Sequence, residues 1–325
     1  MHKVRSLVLL FACLVVSGAV LAQSPSRTFR LVIPFSAGGQ LDVMGRIVAV
    51  SLGEALQANV VVENLPGAGG VIGARRVLKE PADGLTIFEG TPSQLVLAGM
   101  VNKENAIKST DFVPIHMIGT SPYVIFARSG LQAKNADELA TLAKESAKDG
   151  VPLSYASVGV GTLNHVLGEE LSRRMGAPLL HVPYKGGADV VRDLAGGRVD
   201  LFINMYTAQH MSMAESGRFN FITALSPERQ DRLPNVPSSD ESSSLKGFYA
   251  SLWTGLFVKA GTPAPILAEL NQAMAKVLSD PVVQKTLMEQ TATPAAKPAP
   301  SVDVVSAEYE KGIQEFSELG KSAGL

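Results

Sequence analysis

Three short turns in this sequence place glycines directly ahead of stretches with helical periodicity: Gly38-Gly39, Gly159 with Gly161, and Gly186-Gly187. A helix N-terminus carries unpaired N–H groups and the positive end of the helix dipole, and glycine lets a ligand come close to that backbone. The chemistry open to these turns is therefore the binding of an anion by neutral groups. If they lie in two facing lobes, they form a cleft for it. The same glycines also serve to relieve tight strand-to-helix connections, and pattern alone leaves both readings open.

Other chemistries lack their residues. A serine hydrolase needs a nucleophile on a strained elbow, and no G-x-S-x-G occurs. No H-E-x-x-H occurs, and His116, His165, His181 and His210 are dispersed along the chain, so no metal site is expected. Gly159-Val160-Gly161 lacks the third glycine of a dinucleotide fingerprint, and no G-x-x-x-x-G-K-[ST] phosphate loop is present, so no cofactor is expected. The formal net charge of -1 gives neither a basic nucleic-acid footprint nor a polyacidic tail. Paired carboxylates assembled in space remain open to a hydrolase-like enzyme, but no motif with its required context points to one.

The elements that must position the turns follow a strand, turn, helix rhythm. Apolar runs with β-formers at 29–35, 59–63, 85–89, 123–127, 153–157, 179–182, 199–203, 219–225 and 253–258 read as strands. Leu41, Met44, Ile47, Val48, Leu52 and Leu56 recur at helical spacing, with Asp42 in the first turn. Further helices are expected after the Asn135…Glu138 capping box, over 163–175, around Val190, Val191 and Leu194, and over 263–278, 281–289 and 301–319. Strands separated by helices imply βαβ units and parallel pairing. Ligands of open α/β sheets sit beyond the carboxyl ends of the strands, where these turns should be.

The chain opens with His2, Lys3 and Arg5, an apolar stretch from Ser6 to Leu21, and small residues at Val20-Leu21-Ala22. This is the layout of a secretory signal peptide over 1–22, cleaved after Ala22. Its removal takes away the only cysteine, Cys13, and brings the net charge to -3. The remaining chain suffices for two α/β lobes. The expected division is 23–122 plus 248–325 for the first lobe and 123–247 for the second, with the C-terminal helices packing back on the first.

At the turns the sequence resembles a known family. Pro34-Phe35-Ser36-Ala37-Gly38-Gly39 with Asp42 is similar to the PFxxGGxxD opening of the tripartite tricarboxylate transporter receptors, many of them called Bug proteins. Val62-Glu63-Asn64-Leu65-Pro66-Gly67-Ala68-Gly69-Gly70, Pro81-Ala82-Asp83-Gly84, and Tyr155 to Thr162 with His165 resemble further family segments in the family's order. So do His181-Val182-Pro183-Tyr184-Lys185-Gly186-Gly187, Leu233 to Pro237 and Gly261-Thr262-Pro263.

The resemblance implies a two-lobed, type II periplasmic binding-protein fold, each lobe a mixed sheet flanked by helices, with the ligand in the cleft between them. It implies a non-catalytic periplasmic receptor, monomeric, for a small carboxylate such as a di- or tricarboxylate or an aromatic acid. Its partners would be the small and large membrane permease subunits of a tripartite transporter, or alternatively a membrane sensor. By position, Phe35, Ser36, Gly39 and Thr91 would contribute from the first lobe, and Ser157, Gly161, Thr162, His165, Lys185 and Gly186 from the second. Asp42 would stabilise its loop. Asn204 stands where many relatives have aspartate, which favours a ligand without an ammonium group, its apolar portion against Met205 and Tyr206. Trp253 is expected to pack between the lobes.

Overall fold

The computed structural model describes residues 27–101, 107–290, 292–295 and 301–322; the expected leader at 1–22 lies outside them. Strand β1 (Thr28–Ile33) turns into α1 (Gln40–Leu56), followed by β2 (Asn59–Asn64), α2 (Val71–Leu78) and β3 (Thr86–Gly90). Both β2 and β3 pair parallel to β1. All of β3 and the last three residues of β1 are buried, as strands covered on both faces must be. A wide turn, Ser93–Leu97, then continues into one helical turn, α3 (Ala98–Val101).

Strand β4 (Phe112–Arg128) leads to α4 (Ala136–Lys148), β5 (Ser154–Ser157), α5 (Leu163–Met175), β6 (Leu180–Pro183), α6 (Gly187–Ala195) and β7 (Leu201–Met205). Next come α7 (Ala208–Glu215), β8 (Phe219–Ala224), β9 (Ser251–Lys259), α8 (Ala264–Ser279), α9 (Pro281–Glu289), β10 (Thr293–Pro294) and α10 (Val302–Ser322). The strands run β2-β1-β3-β9-β4-β7-β5-β6, with β8 and β10 also on β4.

The joint of this arrangement is β4. Residues 112–122 pair antiparallel with β9, and 123–127 of the same strand pair antiparallel with β7. Sequence pattern predicts only the second half. Pro114, Gly119 and Pro122 disguise the first half, and the register shifts beside Pro114 and Gly119 show how the ladder absorbs them. Pairing is correspondingly mixed. The outer βαβ units are parallel, and the central strands β9 and β4 run antiparallel to their neighbours. Helix α7 is also missed by periodicity, since His210 is its one buried residue, although Thr207 and His210 form a capping box.

A large core surrounds β1, β3, β9 and the first half of β4 and continues through Leu139, Tyr155, Leu167 and Ile203, and helices α8 and α9 pack over α1. A smaller one holds Val124, Phe202, Val190 and Leu194. Phe126 centres its aromatic cluster, 4.9 to 5.7 Å from the rings of Phe221, Phe219 and Phe202. Trp253 corrects its expected place. It lies beneath α10 against Tyr309, Phe316 and Gly312, inside one packing layer and not between lobes.

Candidate functional site

After β1 the chain bends through Ser36, with Gly38 at φ +81°, and enters α1 at Gly39. Asp42 fastens this bend. Its carboxylate accepts from the Gly38 N–H at 2.9 Å, from Arg46 Nε and from Asn64 Nδ2. Burial works to raise its pKa, but those hydrogen bonds outweigh it and hold the carboxyl below the usual range. The loop-stabilising role expected for Asp42 is what these contacts describe.

Across the cleft, β5 ends at Ser157 and a bend with Gly159 at φ +131° and Gly161 at φ +80° leads into α5. This loop braces itself. Thr162 Oγ1 donates to the Gly159 carbonyl at 2.6 Å, Ser157 Oγ accepts from the Gly159 N–H at 3.1 Å, and His165 Nδ1 accepts from the Gly161 N–H at 3.3 Å. Behind it the His165 ring lies 4.4 Å from that of His181, and Ser157 Oγ is 2.6 Å from His181 Nε2. Burial first, then the neighbouring His165, push His181 down to about 4, against the pull of Glu169. Two of the histidines that look dispersed in sequence, His165 and His181, thus form a close, tilted pair behind the loop, and burial lowers the pKa of both.

The two sides touch. A Cβ on Gly186 would stand 2.5 Å from Ser36 Oγ and 2.7 Å from Ser36 Cβ, and one on Gly159 would stand 2.9 Å from Gly69 N. Leu163 N donates to Ser93 Oγ at 3.2 Å. Glycine at these positions is what allows the two backbones to close on one another.

Between them is a narrow cavity of about 40 Å³, below the size range of small-ligand sites. Of the residues expected from sequence, Phe35, Ser36, Gly39, Thr91 and Asn204 line it. Ser157, Gly161, Thr162 and His165 build the loop behind its wall, and Gly186 presses on Ser36 beside it. Lys185 is exposed, in a separate groove with Tyr184 and Arg192. Met205 faces the cavity, whereas Tyr206, the next residue, packs 6.0 Å from the Phe221 ring. The sequence reading missed Gln40, Ser93 and Asn164 on the wall. Gln40 and Asn164 occupy first-turn positions of α1 and α5, a placement relative to the glycine turns that was available as a signal.

Among the described residues no charged side chain lines this cavity. Its polarity comes from amides, hydroxyls and helix ends. Helices α1, α5 and α6 each start on its wall, and Gly39, Thr162 and Gly186 supply no side-chain cap to their first-turn N–H groups. Helices α4, α7 and α9 are closed by Asn135, Thr207 and Asp280, whereas α2 and α8, which start elsewhere, also lack a side-chain cap. Ser93 Oγ takes the Leu163 N–H of α5, and the other first-turn N–H groups of these three helices make the neutral cavity a receptor for negative charge.

Residues 44–312 match the tripartite tricarboxylate transporter family receptor profile. The chain is 34% identical over 290 residues, 88% of its length and 84% of the relative's, to a UPF0065 protein from the tcbD-tcbE intergenic region of Pseudomonas sp. (strain P51). Its fold superposes on the periplasmic binding protein BugD with a TM-score of 0.82 at 31% identity, covering 93% of this chain and 99% of BugD. MatC from Rhodopseudomonas palustris with bound malate matches with a TM-score of 0.83 at 27% identity, covering 91% of this chain and all (100%) of MatC. Rpa4515 of the same organism, with adipate, matches at 0.80 and 28% identity, over 92% of this chain and 98% of that one. The chain belongs to the tripartite tricarboxylate transporter receptor family, whose members are periplasmic solute-binding proteins with this mixed α/β fold.

Proposed function

We propose that this chain captures a small carboxylate between two lobes and delivers it to the small and large membrane permease subunits of a tripartite transporter, without catalysing a reaction. The observation that carries the reading is the uncharged cavity with three helix N-termini on its wall, none capped by the side chain of its own N-cap residue. An anion there is solvated by oriented N–H groups, at no cost of burying a countercharge. Malate and adipate in two structurally similar receptors support the same ligand chemistry.

In this reading residues 1–22 direct export and are removed, and the lobes are 23–122 with 248–325, and 123–247. The transfer of β4 pairing from β9 to β7 between Pro122 and Tyr123 supports that division. Phe35, Ser36, Gly39, Thr91 and Asn204 contact the ligand. Ser157, Gly161, Thr162 and His165 shape the loop that closes on it, Gly186 meets Ser36 on closure, and Lys185 sits at the rim. Ligand shifts the lobes toward the closed arrangement by its differential affinity for it.

A thermal-shift screen of residues 23–325 against mono-, di- and tricarboxylates, aromatic acids and acidic amino acids tests this. A true ligand at 100 times its Kd stabilises by about 2.7 kcal/mol, enough to stand out. A selective shift with one class of acid is expected. Flat responses to every acid, with a shift for a nucleotide or neutral sugar, would overturn the carboxylate assignment.

A further inference from the structure

We infer that Asn164 locks the side-chain amide of Asn204 with its N–H₂ toward the cavity, so that the receptor selects carboxylates lacking an ammonium group. This rests on the carboxylate reading above and narrows its ligand class.

The two ends of an asparagine amide are nearly alike in shape. Which end points where is decided by a partner that can only donate or only accept. Here such a partner exists. The Asn164 side chain reaches the backbone carbonyl of Ile203 at 2.7 Å, and a carbonyl only accepts, so the end that meets it is Nδ2. The same Nδ2 carries a second hydrogen and donates it to Asn204 at 2.9 Å. The atom receiving it must be an acceptor, so it is Oδ1 of Asn204. The remaining end of Asn204 is its nitrogen, which has no partner among the described residues, and the side chain lines the cavity. Asn164 is 3% and Asn204 9% exposed, so neither amide can trade this arrangement for water without moving the wall.

The consequence is a fixed polarity. An N–H₂ group accepts nothing, so it pairs with a carboxylate oxygen and leaves an ammonium group opposite it unpaired and desolvated. No carboxylate lines the cavity to repair that loss, and the unpartnered oxygen of Gln40 on the same wall is a neutral acceptor only. Asp42 is committed to Arg46, Asn64 and Gly38, and both oxygens of Glu89 are enclosed behind the wall. Asn164 is thus a positioning residue that acts through Asn204.

Calorimetric titration of residues 23–325 with matched probes tests the lock: malate against aspartate, adipate against 2-aminoadipate, phenyllactate against phenylalanine. The acid without the amine is expected to bind about 10- to 100-fold tighter, the cost of an unpaired buried charge. In Asn204→Asp both Asn164 bonds survive, because a carboxylate also accepts, but the cavity face becomes an acceptor. The ratio should move toward the amino acid by about 100-fold. Asn164→Ala frees Asn204 to turn and should bring the ratio toward one; a merely structural role would weaken both members of a pair equally and leave the ratio alone. Should Asn164→Ala fail to fold, Asn204→Asp decides the matter alone. Equal binding of both members by the unaltered protein, or an unchanged ratio in Asn204→Asp, overturns the lock while leaving the carboxylate reading intact. No binding by any acid overturns both.

Discussion

Gly186→Ala isolates the cost of closing the cleft. The φ of Gly186 is -173°, an extended backbone that alanine adopts freely, so no local strain accompanies the added methyl. The penalty comes from across the cleft, where that methyl would lie 2.7 Å from Ser36 Cβ, 2.5 Å from its Oγ and 3.3 Å from its backbone N. Carbon pairs rest at about 3.5–4.0 Å, so the two sides must separate by roughly 1 Å. Rotating the Ser36 side chain moves Oγ, but it cannot move Cβ or the backbone nitrogen. Overpacking of this kind costs about 1–3 kcal/mol. Charged wholly to the closed arrangement, that weakens ligand binding by about 5- to 150-fold. Titration calorimetry with the best acid from the screen measures it, and a melting curve without ligand supplies the control. The ligand-free midpoint should hardly move, since an opened cleft accommodates the methyl. Ser36→Gly in the same chain removes Cβ and Oγ together, so the double variant should lose less affinity than the two single losses combined, a coupling of at least about 0.5 kcal/mol between the two sites. Unchanged affinity in Gly186→Ala, or an equal loss of ligand-free stability, would refute the contact as a determinant of closure.

Two predictions concern buried ionisable groups. Glu89 is wholly buried and its oxygens have no partner among the described residues; burial, helped by the charge of Asp42, raises its carboxyl well above 4.5. Its folded-state pKa therefore exceeds the unfolded one, so stability declines as pH rises above about 4.5, and Glu89→Gln should flatten that decline and raise the melting point at neutral pH; an unchanged pH slope would count against it. For His181 the sign is opposite: with a folded value near 4 against 6.5, its contribution is present above pH 6.5 and is lost as pH falls toward 4. His181→Asn should reduce the loss of melting temperature between pH 7.5 and pH 4.5, and a variant that tracks the parent across the roughly three-unit range would contradict a neutral His181.

Much of the site was legible because it is local. Glycines ahead of α1 and α5 announce positive φ, those ahead of α6 an open helix end, and five of the eleven expected site residues do line the cavity. Strand and helix types followed from periodicity wherever one face is buried. Where the pattern is broken by proline and glycine, as in the first half of β4, or where a helix buries one residue, as in α7, the periodic signal fails although the element forms.

The sequence by itself determined the helix ends, the braced bend at Asp42 and the uncharged chemistry of the turns, because these depend on residues a few positions apart. Tertiary structure alone decided that Gly186 meets Ser36, that the His165 ring lies tilted against His181, and that Ile203, Asn164 and Asn204 form one chain of hydrogen bonds. Those pairings join residues 16 to 150 positions apart, and the covalent chain carries no local signal of them. The first exists because β4 crosses from one half of the sheet to the other, and the others because β5 lies between β6 and β7 beneath α5.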